Sequence, residues 1–434
     1  MNTTYLQTRR EFLATGIKGA ALVAASGFVP NFLTRSAHAI GADKDASVLV
    51  VVQLGGGNDG LNTVVPILDD LYYKARPTIG LKPKATLKVS DSLGLHASLA
   101  PLKTEFDAGR MSIVENVGYP NPNRSHFRSM EIWHTGADAD SLSASNGWLG
   151  RYFDAQCSGS DPAKNIDLAQ IGVSFGKVMP QAFRNSSQVA LAVDNPDTFL
   201  WNASGETNNL AKAQEAIFAK LNQPGASTMG RNIESLGGIT GNEPATLEFL
   251  RHTAMNAVLS GDRIRKLLDS SKSASNYPQT GLSQQLRMIA KLIAGGFPAR
   301  VYYATQGGFD THASQAGTHA RLLNEFSSST AAFLADLRSA KQADRVQLMA
   351  FSEFGRRVAE NGSEGTDHGA AGPMFLIGNV QKPGIIGKPP DLAHLVDGDV
   401  AHQIDFRAVY ASVLDQWLGV KSEKVLGKKF AFPA

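Results

Sequence analysis

"VLVVVQLGGGNDG", residues 48 to 60, begins with seven positions of which only Gln53 is polar, and closes on a glycine-rich turn carrying Asn58 and Asp59. A strand with one wet face alternates polar and apolar residues, whereas an unbroken β-branched run marks a strand covered on both faces, as in a parallel sheet. Working outward, Met111–Gly118 ("MSIVENVG"), Ala299–Thr305, Val346–Ser352 and Pro373–Gly378 read as further strands, and a long helical pattern runs from about Ser314 to Ala340. Strands alternating with helices predict an α/β fold on a doubly wound, mostly parallel sheet. From about residue 185 to 295 strand runs disappear and the chain becomes polar and helix-like ("ATLEFLRHTAMNAVLSGDRIRKLLDSS"), which reads as a helical insertion or cap on the α/β core.

The first 39 residues stand apart. Thr8-Arg9-Arg10-Glu11-Phe12-Leu13 precedes a mildly apolar run, Gly16 to Leu33, and then Ala37-His38-Ala39. This is the pattern of a twin-arginine export signal with a small-x-small cleavage site, leaving a mature chain of residues 40–434. The apolar run is broken by Lys18, Ser26 and Pro30 and falls short of the roughly 20 apolar residues that a stable membrane span requires. The expected location is therefore periplasmic or extracellular, with the twin-arginine translocase as a partner during export. The formal charge of +3 on the 434 residues comes from Arg9, Arg10, Lys18 and Arg35 set against Glu11, so the mature chain is balanced and nothing in it favours nucleic acid. Cys157 is the single cysteine, which excludes an internal disulfide.

In open parallel sheets ligands bind beyond the carboxyl ends of the strands, so polar residues just after strand runs carry the functional information. Four clusters lie there. Asn58-Asp59 follows the opening strand among glycines, and reads equally as turn chemistry. Asn123-Arg124-Ser125-His126 places a serine at a helix start, where it serves as an N-cap or faces an anion held by free N–H groups. In "GGFDTH", Asp310 and His312 are two apart and on an extended chain point to one side, as ligands of one ion would, or else cap the next helix. "SEFGRRVAENGSEGTDHG" sets Glu353 directly after a strand, requiring a metal or an arginine such as Arg356 as its partner, and ends on Asp367-His368.

Together, "GGGNDGLN", "NRSHF", "GGFDTH", "SEFGR" and "TDHG", in that order, resemble the alkaline phosphatase and sulfatase superfamily, and most closely its exported branch known as domain of unknown function 1501. The resemblance covers about residues 45 to 420, and extends to "IDFRAVYASVLDQWLG", which looks like the superfamily's final helix beginning near Asp405. It implies an alkaline-phosphatase-like sheet and a divalent metal site of one or two ions (zinc, manganese, magnesium or calcium) that hydrolyses phosphate, sulfate or phosphonate esters of small molecules or polymers. On that resemblance Ser125 is the nucleophile, with Arg124 and His126 beside it as catalytic groups. Asp310, His312 and His368 hold one metal, and Asp59 and Glu353 a second, with Asp367 as a further ligand. Phe354 departs from the pattern, because the superfamily usually has a histidine ligand there. That gap keeps a second class of function open, a non-catalytic exported binding or assembly protein that retains the fold and one metal.

Overall fold

The computed structural model describes residues 46–141, 146–157, 172–176, 178–184, 190–193, 263–270 and 273–433. The export signal, and most of the segment read as a helical insertion, lie outside the described residues. At that segment's ends, residues 190–193 form a strand and Gly281–Ala294 a helix packed on the sheet.

Among the described residues the strands, in chain order, are β1 (Val48–Leu54), β2 (Val64–Pro66), β3 (Thr86–Lys88), β4 (Leu93–His96), β5 (Met111–Gly118), β6 (Gly172–Phe175), β7 (Ala190–Val193), β8 (Val301–Gln306), β9 (Val346–Phe351), β10 (Gly372–Gly378), β11 (Gly384–Ile386) and β12 (Ile404–Asp405). The main sheet has the order β11-β5-β10-β9-β1-β8-β6-β7, with β12 also on β5, and β2-β4-β3 form a small separate sheet. β1 lies at the centre, parallel to both β8 and β9, with Val50 opposite Tyr302 on one side and Leu348 on the other. Among the described residues β10 alone runs against its main-sheet neighbours, antiparallel to β9 and β5.

Helices cover both faces. These are α1 (Ala100–Asp107), α2 (His126–Thr135), α3 (Trp148–Cys157), α4 (Gly281–Ala294), α5 (Gln315–Ser339) and α6 (Phe406–Ser412). Alternation along β1 explains the two cores: Val48, Val50, Val52 and Leu54 bury against α4 and α5, whereas Leu49 and Val51 face the side of α2, α3 and α6. α2 is fastened through Trp133, which stacks between Phe351 of β9 at 5.1 Å and Phe406 of α6 at 4.4 Å. No helix among the described residues is long and apolar enough to cross a membrane.

The parallel pairing puts the carboxyl ends of β1, β8 and β9 side by side, and β5, antiparallel to β10, runs in the same sense. Four loops therefore leave the sheet at one edge: Gly55–Asp59, Gly307–His312, Ser352–Arg356 and Tyr119–Ser125. The reversed direction of β10 brings a fifth, because the residues just before it, Thr366–Gly369, arrive at that same edge.

Candidate metal centre

Asp310 is the hub at this edge. Three imidazoles turn toward it from three different loops: His126 at the first position of α2, His312 two residues on, and His368 ahead of β10. His312 Nε2 lies 3.0 Å and His368 Nε2 3.1 Å from Asp310 Oδ1, and His126 Nε2 lies 3.5 Å from Oδ2. His312 Nε2 and His368 Nε2 are themselves 3.0 Å apart.

The opposite ring nitrogen of each histidine meets an oxygen. His126 Nδ1 is 2.8 Å from Glu353 Oε1, His312 Nδ1 is 3.0 Å from Asp367 Oδ1, and His368 Nδ1 is 2.8 Å from the carbonyl of Arg124. Carboxylate and carbonyl oxygens only accept, so each Nδ1 carries the proton of the neutral ring and each Nε2 presents its lone pair. The result is a triangle of His312 Nε2, His368 Nε2 and Asp310 Oδ1 with edges of 3.0 to 3.1 Å, with His126 Nε2 approaching it from the helix side. Lone pairs so arranged repel one another unless a cation or shared proton lies among them, and two donors about 2.1 Å from one ion span roughly 3.0–3.4 Å. His126, Asp310 and His368 by themselves place their donor atoms within 4.8 Å of one another. Imidazoles backed by carboxylates are the arrangement that orients metal-binding histidines. The donor set thus fits a divalent cation, and three imidazoles favour zinc, manganese or a similar transition ion over calcium.

The surroundings hold Asp310 ionised. Burial alone would raise its pKa, but the hydrogen bond from Arg356 (Nη2 to Oδ1, 2.6 Å) and the charge of that guanidinium hold it below the usual carboxylate range. Arg356 is itself locked, donating to the carbonyls of Gly56, Gly57 (2.7 Å), Phe309 (3.0 Å) and Thr366 (2.9 Å). Glu353 accordingly finds its partners elsewhere, in His126 and in the Gly56 N–H at 2.8 Å. Gly56 must be glycine: its φ is 118°, and a Cβ there would lie 2.4 Å from the Asp310 backbone nitrogen. Phe354, where a further histidine is absent, packs its ring against His126 and His368 at centroid distances of 4.9 and 4.8 Å.

The other expected residues are placed as follows. Glu353 and Asp367 stand behind His126 and His312 as acceptors of their Nδ1 protons. Asp59 is fully buried away from the hub, its Oδ2 accepting from Arg76 Nη1 at 2.6 Å and from Gln315 Nε2 at 2.5 Å. Burial would raise the Asp59 pKa, and Arg76 together with His319 and Gln315 lowers it below the usual carboxylate value. Ser125 is exposed at the N-cap of α2, its hydroxyl making no capping bond. Arg124 pairs with Asp399 and offers its carbonyl to His368. α2 is set against the Glu353 backbone by Ser129 Oγ, 2.5 Å from the Glu353 carbonyl, which fixes His126 one turn earlier.

Sequence reasoning overlooked Arg76, Gln315, Asn361 and Asp399. Asn361 braces His312 and Asp367 together, donating to the His312 carbonyl at 2.9 Å and to Asp367 Oδ1 at 3.2 Å. Asn361 lies within the quoted stretch from Ser352 to Gly369 without a local spacing to single it out, and the other three sit in no motif.

Over residues 46–428 the chain matches the family described as "Protein of unknown function (DUF1501)". The chain belongs to this family. No curated protein matches the chain. Among solved structures it is similar to the lipoteichoic acid synthase LtaP from Listeria monocytogenes, at 9% identity and a TM-score of 0.32, over 89% of this chain and 76% of that one. A 2-O GAG sulfatase gives 12% identity and a TM-score of 0.32, over 90% and 76% of the two chains. The phosphonate monoester hydrolase SpPMH from Silicibacter pomeroyi gives 10% and 0.28, over 88% and 77%. What this member of the DUF1501 family does has to be argued from its own residues.

Proposed function

We propose that the protein is a metal-dependent hydrolase of phosphate, sulfate or phosphonate esters, exported by the twin-arginine route. The observation that carries this reading is the convergence of three Nε2 lone pairs on Asp310, each ring held by an oxygen at Nδ1. His126, His312, His368 and Asp310 would hold a single divalent ion. When bound, that ion supplies a Lewis acid that polarises an ester oxygen and offsets the charge developing on it. Asp59, whose Oδ2 accepts from both Arg76 and Gln315, serves the scaffold in this reading.

Ser125 is the nucleophile of the proposal. It stands exposed directly before His126, with its hydroxyl free of a capping role. The first N–H groups of α2 have no partner within the helix and, with the positive end of its dipole, favour an anionic ester oxygen beside that hydroxyl. Attack by Oγ would form the bond to phosphorus or sulfur as the bond to the ester oxygen breaks, the proton given up by Oγ leaving on that oxygen, and water would then cleave the serine ester, releasing the acid and returning a proton to Oγ. Arg124 is tethered by Asp399 and presents a fixed guanidinium on the same loop, suited to a non-bridging oxygen.

The test is to purify the exported protein, measure its metal content, and assay aryl phosphate, phosphodiester, phosphonate and sulfate substrates. The expected result is a bound transition ion and turnover of at least one ester class, both lost in Asp310→Ala. Ser125→Ala should keep the ion and lose turnover. A folded protein without metal that Asp310→Ala leaves unchanged would sink the proposal. A metal-loaded protein inert toward every ester would instead support a binding role.

A further inference from the structure

Behind the hub lies a buried amide that no motif contains. Gln315 is the first residue of α5 and is fully buried. Its Oε1 accepts from the hydroxyls of Thr311, at 3.0 Å, and Thr366, at 2.6 Å. Thr311 is the residue between Asp310 and His312, and Thr366 immediately precedes Asp367-His368. The other end of the amide, Nε2, donates to Asp59 Oδ2 at 2.5 Å. A carboxylate only accepts, so the amide has one possible orientation, and both hydroxyls are obliged to donate to its oxygen. Asp59 in turn is fixed by Arg76, whose remaining N–H groups bond Asn62 Oδ1 at 2.7 Å and the carbonyls of Val358 and Arg357, each at 2.9 Å. The backbone joins the same two loops, through Ser314 N to Ser363 O and Gln315 N to Glu364 O, both 2.9 Å, and Thr366 N to Thr311 O, 3.2 Å.

We propose that Gln315 is the positioning residue of the metal centre: through Thr311 and Thr366 it ties the two loops that carry His312 and His368 to the Asp59–Arg76 pair and to the start of α5. The proposal rests on the reading of the hub as a metal site. Without the amide, two buried hydroxyls and a buried carboxylate each lose a partner, and the loops can shift relative to each other. Donor atoms held about 3 Å apart tolerate little such shift, as metal affinity depends on the groups behind the ligands.

The experiment compares wild type, Gln315→Leu, Gln315→Glu and the exchange pair Asp59→Asn/Gln315→Glu. Zinc affinity is measured by chelator competition, and amide hydrogen exchange is followed without metal. Gln315→Leu and Gln315→Glu should each weaken zinc binding by about 10–100-fold. Both should speed exchange at residues 310–315 and 361–368, while strands β1 and β9 stay protected. Gln315→Glu sets one carboxylate against another; the exchange pair returns a donor facing an acceptor at unchanged net charge, but takes from Arg76 Nη1 the oxygen it shared with Gln315. It should therefore bind zinc more tightly than Gln315→Glu alone while staying below wild type, and it decides the matter if Gln315→Leu does not fold. Zinc affinity and loop protection equal to wild type in both single variants would overturn the proposal. So would faster exchange spread evenly over the sheet, which describes a residue of general stability. If wild type takes up no zinc, the metal reading fails, and localised loop exchange still decides whether Gln315 is a clamp.

Discussion

At the scale of single residues, the centre is organised by pairs in which one side chain sets the other. Glu353 and Asp367 touch the imidazoles from behind and act through their orientation and basicity. Replacing Glu353 with alanine should lower metal affinity by roughly 10–100-fold. Glu353→Gln, which keeps an acceptor for the His126 Nδ1 proton, should cost less. Chelator titration of the two variants checks the order, and an equal loss in both would show that the negative charge, more than the acceptor, is what His126 requires. The residue types of the hub were legible in sequence, since Asp310, His312 and His368 stand in two short motifs after strand runs. The oxygen behind each ring was not, because those contacts join residues 55 to 244 positions apart.

Elements decide how closely the loops approach. Gly365 shows this best, since a Cβ there would sit 2.2 Å from the backbone carbonyl carbon of His312. No rotamer can relieve a clash with backbone, so Gly365→Ala must push the 361–368 loop away from the 310–315 loop. The expected outcome is a loss of about 1–3 kcal/mol of stability, read in urea unfolding, together with a fall in metal affinity. Metal affinity unchanged from wild type would mean that the loops separate without moving the ligands. The strand and helix patterns predicted most of these elements: Met111–Gly118 coincides with β5, and the pattern from Ser314 to Ala340 contains α5. At Asp405 the structure shows an N-cap whose carboxylate accepts from the Arg407 N–H at the start of α6. A glycine's close neighbour, by contrast, comes from a distant loop and leaves no local trace.

For the whole molecule, two buried titratable groups pull stability in opposite directions with pH. Burial raises the pKa of Glu115, on β5, to about 8, with one carboxyl oxygen unpartnered among the described residues. Its folded pKa exceeds its unfolded value of 4.5, so its contribution is complete below pH 4.5 and is lost as pH rises toward 8. Burial lowers the pKa of His134 from 6.5 to about 4, so its contribution is complete above pH 6.5 and is lost as pH falls toward 4. Urea midpoints should therefore show Glu115→Gln gaining on wild type between pH 4.5 and 8, and His134→Gln gaining between pH 6.5 and 4. Each gain is on the order of 3–5 kcal/mol at most, at 1.36 kcal/mol per pKa unit. Parallel pH profiles for wild type and Glu115→Gln would show that Glu115 ionises freely in the folded chain.

The sequence by itself determined the central strands and the polar clusters that follow them. Unbroken apolar runs predict strands covered on both faces, and the polar clusters after them, Asp310 and His312 included, then gather at one edge of the sheet. Tertiary structure alone decided which groups meet. It reversed β10, so that His368 arrives from before a strand and still reaches the carboxyl edge. It set Asp59 Oδ2 against Arg76 and Gln315, and packed His126 on the ring of Phe354. The reason is physical: period and propensity are local and survive in the order of residues, whereas the partner of a buried carboxylate or ring nitrogen is whichever group the packed loops bring within about 3 Å.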